Sequence, residues 1–228
     1  MITIPARFNG PPGSANGGYS CGIFASLVDG DVEVTLRSPP PLETPMVVTT
    51  DGDRVLVHDG EILVAEVRPV EIDLEIPTAP SPKQAEAARE RYLGYERHEF
   101  PTCFTCGTER SDGLSVHPGP VMGTGVVAST WTADESLPSE DGQLRPEIVW
   151  AALDCPGAWA TMREVTSDAV VLGRMAARIV EPVLVGSTLV SYGWQMGADG
   201  RKAYAGTAVA NERGRTLAYA RQVWIALN

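Results

Sequence analysis

The sequence predicts an α+β protein made of two tandem halves, each a helix followed by an antiparallel meander. Three observations carry that prediction. A helix with an apolar run at helical spacing opens each half, and short β-branched strands follow it. Tight-turn signals punctuate the strand runs: "DGD" at 51–53, "HDGE" at 58–61, "GADGRK" at 197–202 and "NERGR" at 211–215. Both halves also place proline after one strand and before the next, in "LRSPPPLETPM" (36–46) and "RIVEPVLVGST" (178–188).

The elements follow in order. "SANGGYSCGIFASLV" (14–28) reads as a helix, with Asn16 as its N-cap and Gly17 and Gly18 in its first turn. "DVEVTLRSP" (31–39) reads as a strand ended by Pro39, Pro40 and Pro41, and residues 45–72 read as a meander. Residues 73–82 form a proline-rich linker, and "PKQAEAARERYLGYER" (82–97) a helix of good formers. "TGVVASTWTA" (124–133) is a strand, 134–143 an acidic loop and 145–164 a helix; four strands then run to the end. The expected division is an N-terminal half over 1–80, a linker helix over 81–100 and a C-terminal half over 101–228.

Bulk properties exclude several function classes. A chain of 228 residues with 43% hydrophobic content can bury a sizeable core. A formal net charge of −11 argues against nucleic acid or an anionic membrane as partner. No apolar run approaches the roughly 20 residues that a membrane span needs. The start "MITIPARFNGPPG" lacks a basic-then-apolar signal pattern, so a cytoplasmic location with reduced thiols is expected.

The two helices complement one another. Aligning Asn16 with Arg145 puts Gly17 on Pro146, Gly18 on Glu147 and Ala25 on Asp154. The first helix offers backbone N–H groups with no bulky side chain over them, suited to developing negative charge. The second starts on Pro146, which cannot donate, but carries Asp154 within the apolar "VWAALDCPGAW". A carboxylate there loses solvation and needs a partner or a role. Pro156 is expected to kink or end the helix. If the helices meet, donors and acid together make one complete site. The mirror-related position, with Ala25 and Pro146, has neither.

At these residues the chain resembles the hotdog-fold thioesterases of the phenylacetyl-CoA type, whose helix begins His-Gly-Gly and carries an Asp nine positions after the His. "NGGYSCGIFA" matches the opening with Asn for His, and "RPEIVWAALD" matches the Asp spacing. "CFTCGTERSDGL" (103–114) resembles the Cys-Phe-x-Cys-Gly-x-x-Asn-Pro-x-Gly-Leu segment of that family, with Arg110 and Ser111 in place of Asn-Pro. The resemblance implies a fused double hotdog that hydrolyses an acyl-CoA or acyl-carrier thioester at one site between its halves. By it, Gly17 N–H polarises the thioester carbonyl and Asp154 acts as nucleophile or general base. Asn16 orients substrate or water. Gly18, Trp150, Arg145, Arg213 and Arg215 are candidates for substrate binding, the arginines for the phosphates of CoA. A homodimer of double hotdogs is a further expectation; no cofactor and no metal are expected.

Plainer readings stand beside these. In one, Gly17 and Gly18 serve only as a turn into a helix, and Asp154 only as a structural acid. Cys103 and Cys106 form a Cys-x-x-Cys that suggests zinc, but a closed site needs four ligands, and Cys21, Cys155 and His117 have no convincing spacing. A turn packed under the helix is the favoured reading. His98 and His117 read as surface residues, and Trp150, Trp159, Trp194 and Trp224 as core or tunnel wall. The alternative function is a hotdog that holds an acyl thioester or lipid-like ligand without turnover. A hotdog dehydratase or hydratase is disfavoured, because no helix here carries a histidine.

Overall fold

The computed structural model describes residues 1–162 and 169–227. The N-terminal half contains α1 (Gly17–Ala25), β1 (Val32–Leu36), β2 (Val47–Asp51), β3 (Arg54–Asp59) and β4 (Ile62–Pro69). An extended segment leads to α2 (Pro82–Arg89). The C-terminal half contains β5 (Gly119–Pro120), β6 (Val126–Thr132), β7 (Ser139–Glu140), β8 (Gln143–Leu144) and α3 (Pro146–Thr161). It ends with β9 (Val170–Ile179), β10 (Thr188–Asp199), β11 (Lys202–Asn211) and β12 (Thr216–Ala226).

Ten strands form one sheet in the order β2-β3-β4-β1-β9-β12-β11-β10-β6-β5. The antiparallel pair β1–β9, from Val32 opposite Ala177 to Thr35 opposite Arg174, joins the halves. Outward from that junction both halves run alike: the first strand after the helix, then the fourth, third and second. In the C-terminal half, β6 precedes α3 and pairs with β10. In the other half Ile2, upstream of α1, makes an antiparallel bridge to Met46 just before β2. The halves are thus related by a pseudo-two-fold axis through β1 and β9. The two helices pack on each other and on the sheet, within one apolar core fed by both halves.

Glycine sets how closely the helices cross. A Cβ on Gly18 would stand 2.5 Å from Asp154 Cβ and 2.7 Å from Trp150 O. A Cβ on Gly22 would stand 2.6 Å from Glu147 Cα. One turn apart, these residues form a flat stripe that lets α1 lie against the backbone of α3.

Pro156 lies inside α3, and the helix continues to Thr161. Proline removes the hydrogen bond to the carbonyl four residues back, that of Ala152. Ser191 Oγ replaces it, donating to Ala152 O at 2.7 Å. On either side, Thr105 Oγ1 donates to Ala151 O at 2.9 Å and Gln222 Nε2 to Leu153 O at 2.8 Å. The helix survives its proline because a loop and two strands take up the carbonyls of the affected turn. Residues 163–164 of the expected helix lie outside the described residues.

The helix expected over 82–97 ends sooner. Ser81 and Gln84 form a capping box at the start of α2, and a separate 3₁₀ turn covers Leu93–Tyr95. Ala85 and Ala88 are buried on the face of the sheet opposite α3, with Val126, Val190 and Tyr192. The acidic loop contains the small β7–β8 hairpin. No helix among the described residues is long and apolar enough to cross a membrane.

Gly22→Val forces a branched side chain against the backbone of α3. Overpacking of this kind costs about 1–3 kcal/mol. Chemical denaturation is expected to show a lower midpoint for this variant.

Candidate active site

Asn16 organises the N-terminus of α1. Its Oδ1 accepts from the Tyr19 N–H at 2.8 Å, capping the helix. That turns the amide nitrogen outward: Nδ2 donates to Asp154 Oδ2 at 2.8 Å and lies 3.6 Å from Cys103 Sγ. Gly17 and Gly18 are the first two residues of α1, where N–H groups have no intrahelical acceptor. Their backbone approaches the opposite helix and β9, since a Cβ on Gly17 would stand 2.9 Å from Leu172 Cβ. The glycine pair is therefore required sterically.

Asp154 is 2% exposed. Its Oδ1 is buried with no hydrogen-bond partner among the described residues. Burial pushes the carboxyl up to about 7, and the neighbouring Cys103 adds to this. The Gly18 N–H and the Asn16 amide pull the other way by favouring the charged form. One oxygen is thus anchored to α1, and the other is left open.

Asp154 lines a cavity of about 390 Å³. Asn16, Gly17 and Asp154 meet there with apolar walls from Trp159, Met162 and Leu172. A second cavity of about 370 Å³ shares Gly17 and Leu172 with the first and extends past Arg37 and Pro40.

The remaining residues singled out in the sequence sit elsewhere. Trp150 is buried between the helices and is not part of the lining of the first cavity. Arg145 stands at the N-cap position of α3, where its side chain makes no capping bond, and pairs with Glu147 at 2.9 Å. Arg213 and Arg215 lie in the β11–β12 turn, with Arg215 paired to Glu181, and neither lines the cavity. Among the described residues, the positive side chain that lines it is Arg97, beside His98 and paired with Glu99 at 3.0 Å. Nothing in the local sequence marks them, because the 3₁₀ turn that brings this segment over the cavity is set by tertiary packing. His117 is a correction: expected at the surface, it is only 8% exposed. Its ring stacks on Tyr92 with centroids 5.1 Å apart and bonds the Tyr95 hydroxyl at 3.0 Å.

The cysteine-rich segment is clamped to the N-terminus. Arg110 lies 5.3 Å over the Phe104 ring and donates to Asn9 Oδ1 at 2.7 Å and Arg7 O at 2.8 Å. Phe104 in turn packs edge-on to Phe8 at 5.0 Å, and Phe8 stacks on Tyr19 at 3.9 Å. This clamp brings Cys103 and Cys106 against Cys155 of α3, with Cys103 Sγ 3.8 Å from Cys155 Sγ. The thiols of Cys106 and then Cys155 donate to Cys103 and hold it well below the ordinary thiol range, while burial pushes their own values up.

The cap and the carboxylate contact of Asn16 are separable. Asn16→Ser keeps a capping oxygen but cannot reach Asp154 as the longer amide does. Asn16→Ala loses both and is expected to be less stable than Asn16→Ser by about 0.5–2 kcal/mol, the ordinary worth of an N-cap. Urea titrations of the two variants check this.

No family model and no curated protein matches the chain. Solved structures do. A tesB protein of Mycobacterium avium subs. paratuberculosis is 16% identical with a TM-score of 0.59, covering 99% of this chain and 91% of that one. A candidate thioesterase of Novosphingobium aromaticivorans is 18% identical with a TM-score of 0.60, covering 100% and 94%. A protein of unknown function with a hotdog fold from Alicyclobacillus acidocaldarius is 10% identical with a TM-score of 0.61, covering 98% and 90%. With its two helices cradled by one ten-stranded antiparallel sheet, the chain has the double hotdog fold, and its likeness to these structures runs over nearly its whole length.

Proposed function

We propose that the protein hydrolyses an acyl thioester, of CoA or of an acyl carrier, at one composite site between its halves. The observation that carries this reading is the 2.8 Å bond from Asn16 of α1 to Asp154 of α3, whose second carboxylate oxygen is buried and unpartnered and which lines a largely apolar cavity. Both residues are buried, and each belongs to a different half.

The steps follow from the geometry. An acyl chain occupies the apolar cavity, and its thioester carbonyl lies at the N-terminus of α1. The Gly17 N–H donates to the carbonyl oxygen and stabilises the charge that develops there. Asp154 Oδ1 takes a proton from water, and that water attacks the carbonyl carbon. The C–S bond then breaks, giving the carboxylic acid and a thiolate, which Asp154 or solvent protonates. Asn16 keeps Asp154 aimed throughout. A carboxyl lifted to about 7 by burial is a stronger base than an exposed one.

The mirror position supports one site per chain. Ala25 stands where the acid would be, and Pro146 where the donor would be. Glu147 takes the place of Gly18, and its backbone lies against Gly22. For the phosphates of CoA, Arg97 is better placed than Arg145, Arg213 or Arg215, because it borders the cavity. The largely exposed outer strand β2 is the edge through which a homodimer would extend the sheet.

Asp154→Asn keeps the shape and the Asn16 neighbour but removes the base. Thiol release from a panel of short, medium, long and aryl acyl-CoAs is expected to fall by about 100-fold or more, the scale of general base catalysis. Acyl-CoA should still raise the melting temperature of the variant. Equal turnover in both proteins would remove Asp154 from the mechanism. A wild type that releases no thiol but is stabilised by acyl-CoA would instead point to a binding protein.

A further inference from the structure

We infer that Cys103, Cys106 and Cys155 form a binding site for a thiophilic divalent metal ion of the zinc type, beside the Asn16–Asp154 pair. The three sulfur atoms lie within 4.8 Å of one another, and all three residues are buried. Tetrahedral zinc with Zn–S bonds near 2.3 Å sets its sulfurs about 3.8 Å apart. The Cys103–Cys155 separation is already 3.8 Å, and the remaining pairs lie within 4.8 Å.

The surroundings are arranged for bound thiolates. The Cys-x-x-Cys segment is a tight turn, closed by the Gly107 N–H donating to Cys103 O at 2.9 Å, and the Asn16 amide lies 3.6 Å from the Cys103 sulfur. His98 acts as an outer partner. Its Nδ1 accepts from the Phe100 N–H at 3.0 Å, so Nε2 carries the proton. That Nε2 lies 3.0 Å from Cys106 O and 3.4 Å from Cys106 Sγ. Tyr92 also donates to Cys106 O at 3.0 Å. A histidine protonated at Nε2 orients a coordinating cysteine and is not itself a ligand in this pose. The fourth coordination position therefore belongs to water or a ligand, and all three cysteines line the cavity from which either would come.

The sequence hid this site because Cys155 is 49 residues beyond Cys106 and on a helix (155 − 106 = 49). A bound ion would fasten the 98–107 segment to the turn of α3 that carries Asp154, and each coordinating thiol would release its proton to solvent. The site does not rest on the thioesterase reading; a protein that only bound acyl thioesters would have it too.

The test is cobalt substitution on reduced, metal-stripped, full-length protein under anaerobic conditions. One Co²⁺ per chain is expected, with thiolate-to-cobalt charge-transfer bands and the visible bands of tetrahedral geometry. Zn²⁺ should displace it and raise the melting temperature. Cys106→Ser and Cys155→Ser should lose the bands, and Cys21→Ser should keep them. His98→Ala should keep the bands and weaken affinity about 10–100-fold, as loss of an outer partner does. If the cysteine variants fail to fold, alkylation of wild type gives the same answer: Zn²⁺ should protect Cys103, Cys106 and Cys155 together. Absence of the bands in wild type, bands that survive Cys155→Ser, or protection of Cys103 and Cys106 without Cys155 would each overturn the inference.

Discussion

The close approach of Gly18 to Asp154 governs the rest of the site. A carboxylate buried in apolar surroundings loses several kcal/mol of solvation, and only nearby donors offset that. Here the donors come from the start of another helix, the Asn16 amide and the first-turn N–H groups of α1. They reach Asp154 because glycine at positions 18 and 22 lets the two helices cross at backbone distance. A side chain at either position would separate the helices and leave the acid stranded.

The two halves share one topology but carry different residues at this crossing. Both run outward from the β1–β9 junction in the same strand order. A symmetric pair of sites would need glycine and a donor on each helix, and an acid on each. This chain keeps donors on α1 and the acid on α3, and fills the opposite corner with Pro146, Glu147 and Ala25. α3 accepts even Pro156, because Ser191 takes the carbonyl that the proline leaves.

Much of this was legible beforehand, for identifiable reasons. The helix-and-meander order rests on periodicity and on turn residues, both of which are local. That α1 offers donors and α3 an acid was readable because the two helices align residue by residue; the bond from Asn16, expected to orient substrate or water, to Asp154 was not. Features that depend on distant segments were not readable. Cys155 gave no spacing signal, yet the Arg110 clamp brings the Cys-x-x-Cys turn onto it. His117, read from the sequence as a surface residue, is buried by stacking on Tyr92, a partner 25 residues away (117 − 92 = 25) that local pattern does not reveal. The arginines chosen by position, Arg213 and Arg215, belong to a hairpin turn, while Arg97 borders the cavity through a 3₁₀ turn that no pattern announced.

The central claim is that Asn16 and Asp154, from different halves, act as one unit on a thioester. A double-mutant cycle measures it directly: kcat/KM for the best acyl-CoA with wild type, Asn16→Ser, Asp154→Asn and the combination. If the pair is one unit, the combined variant is no slower than Asp154→Asn alone, because Asn16 acts through the carboxylate. If the two losses simply multiply, the residues act independently, and the composite site is wrong.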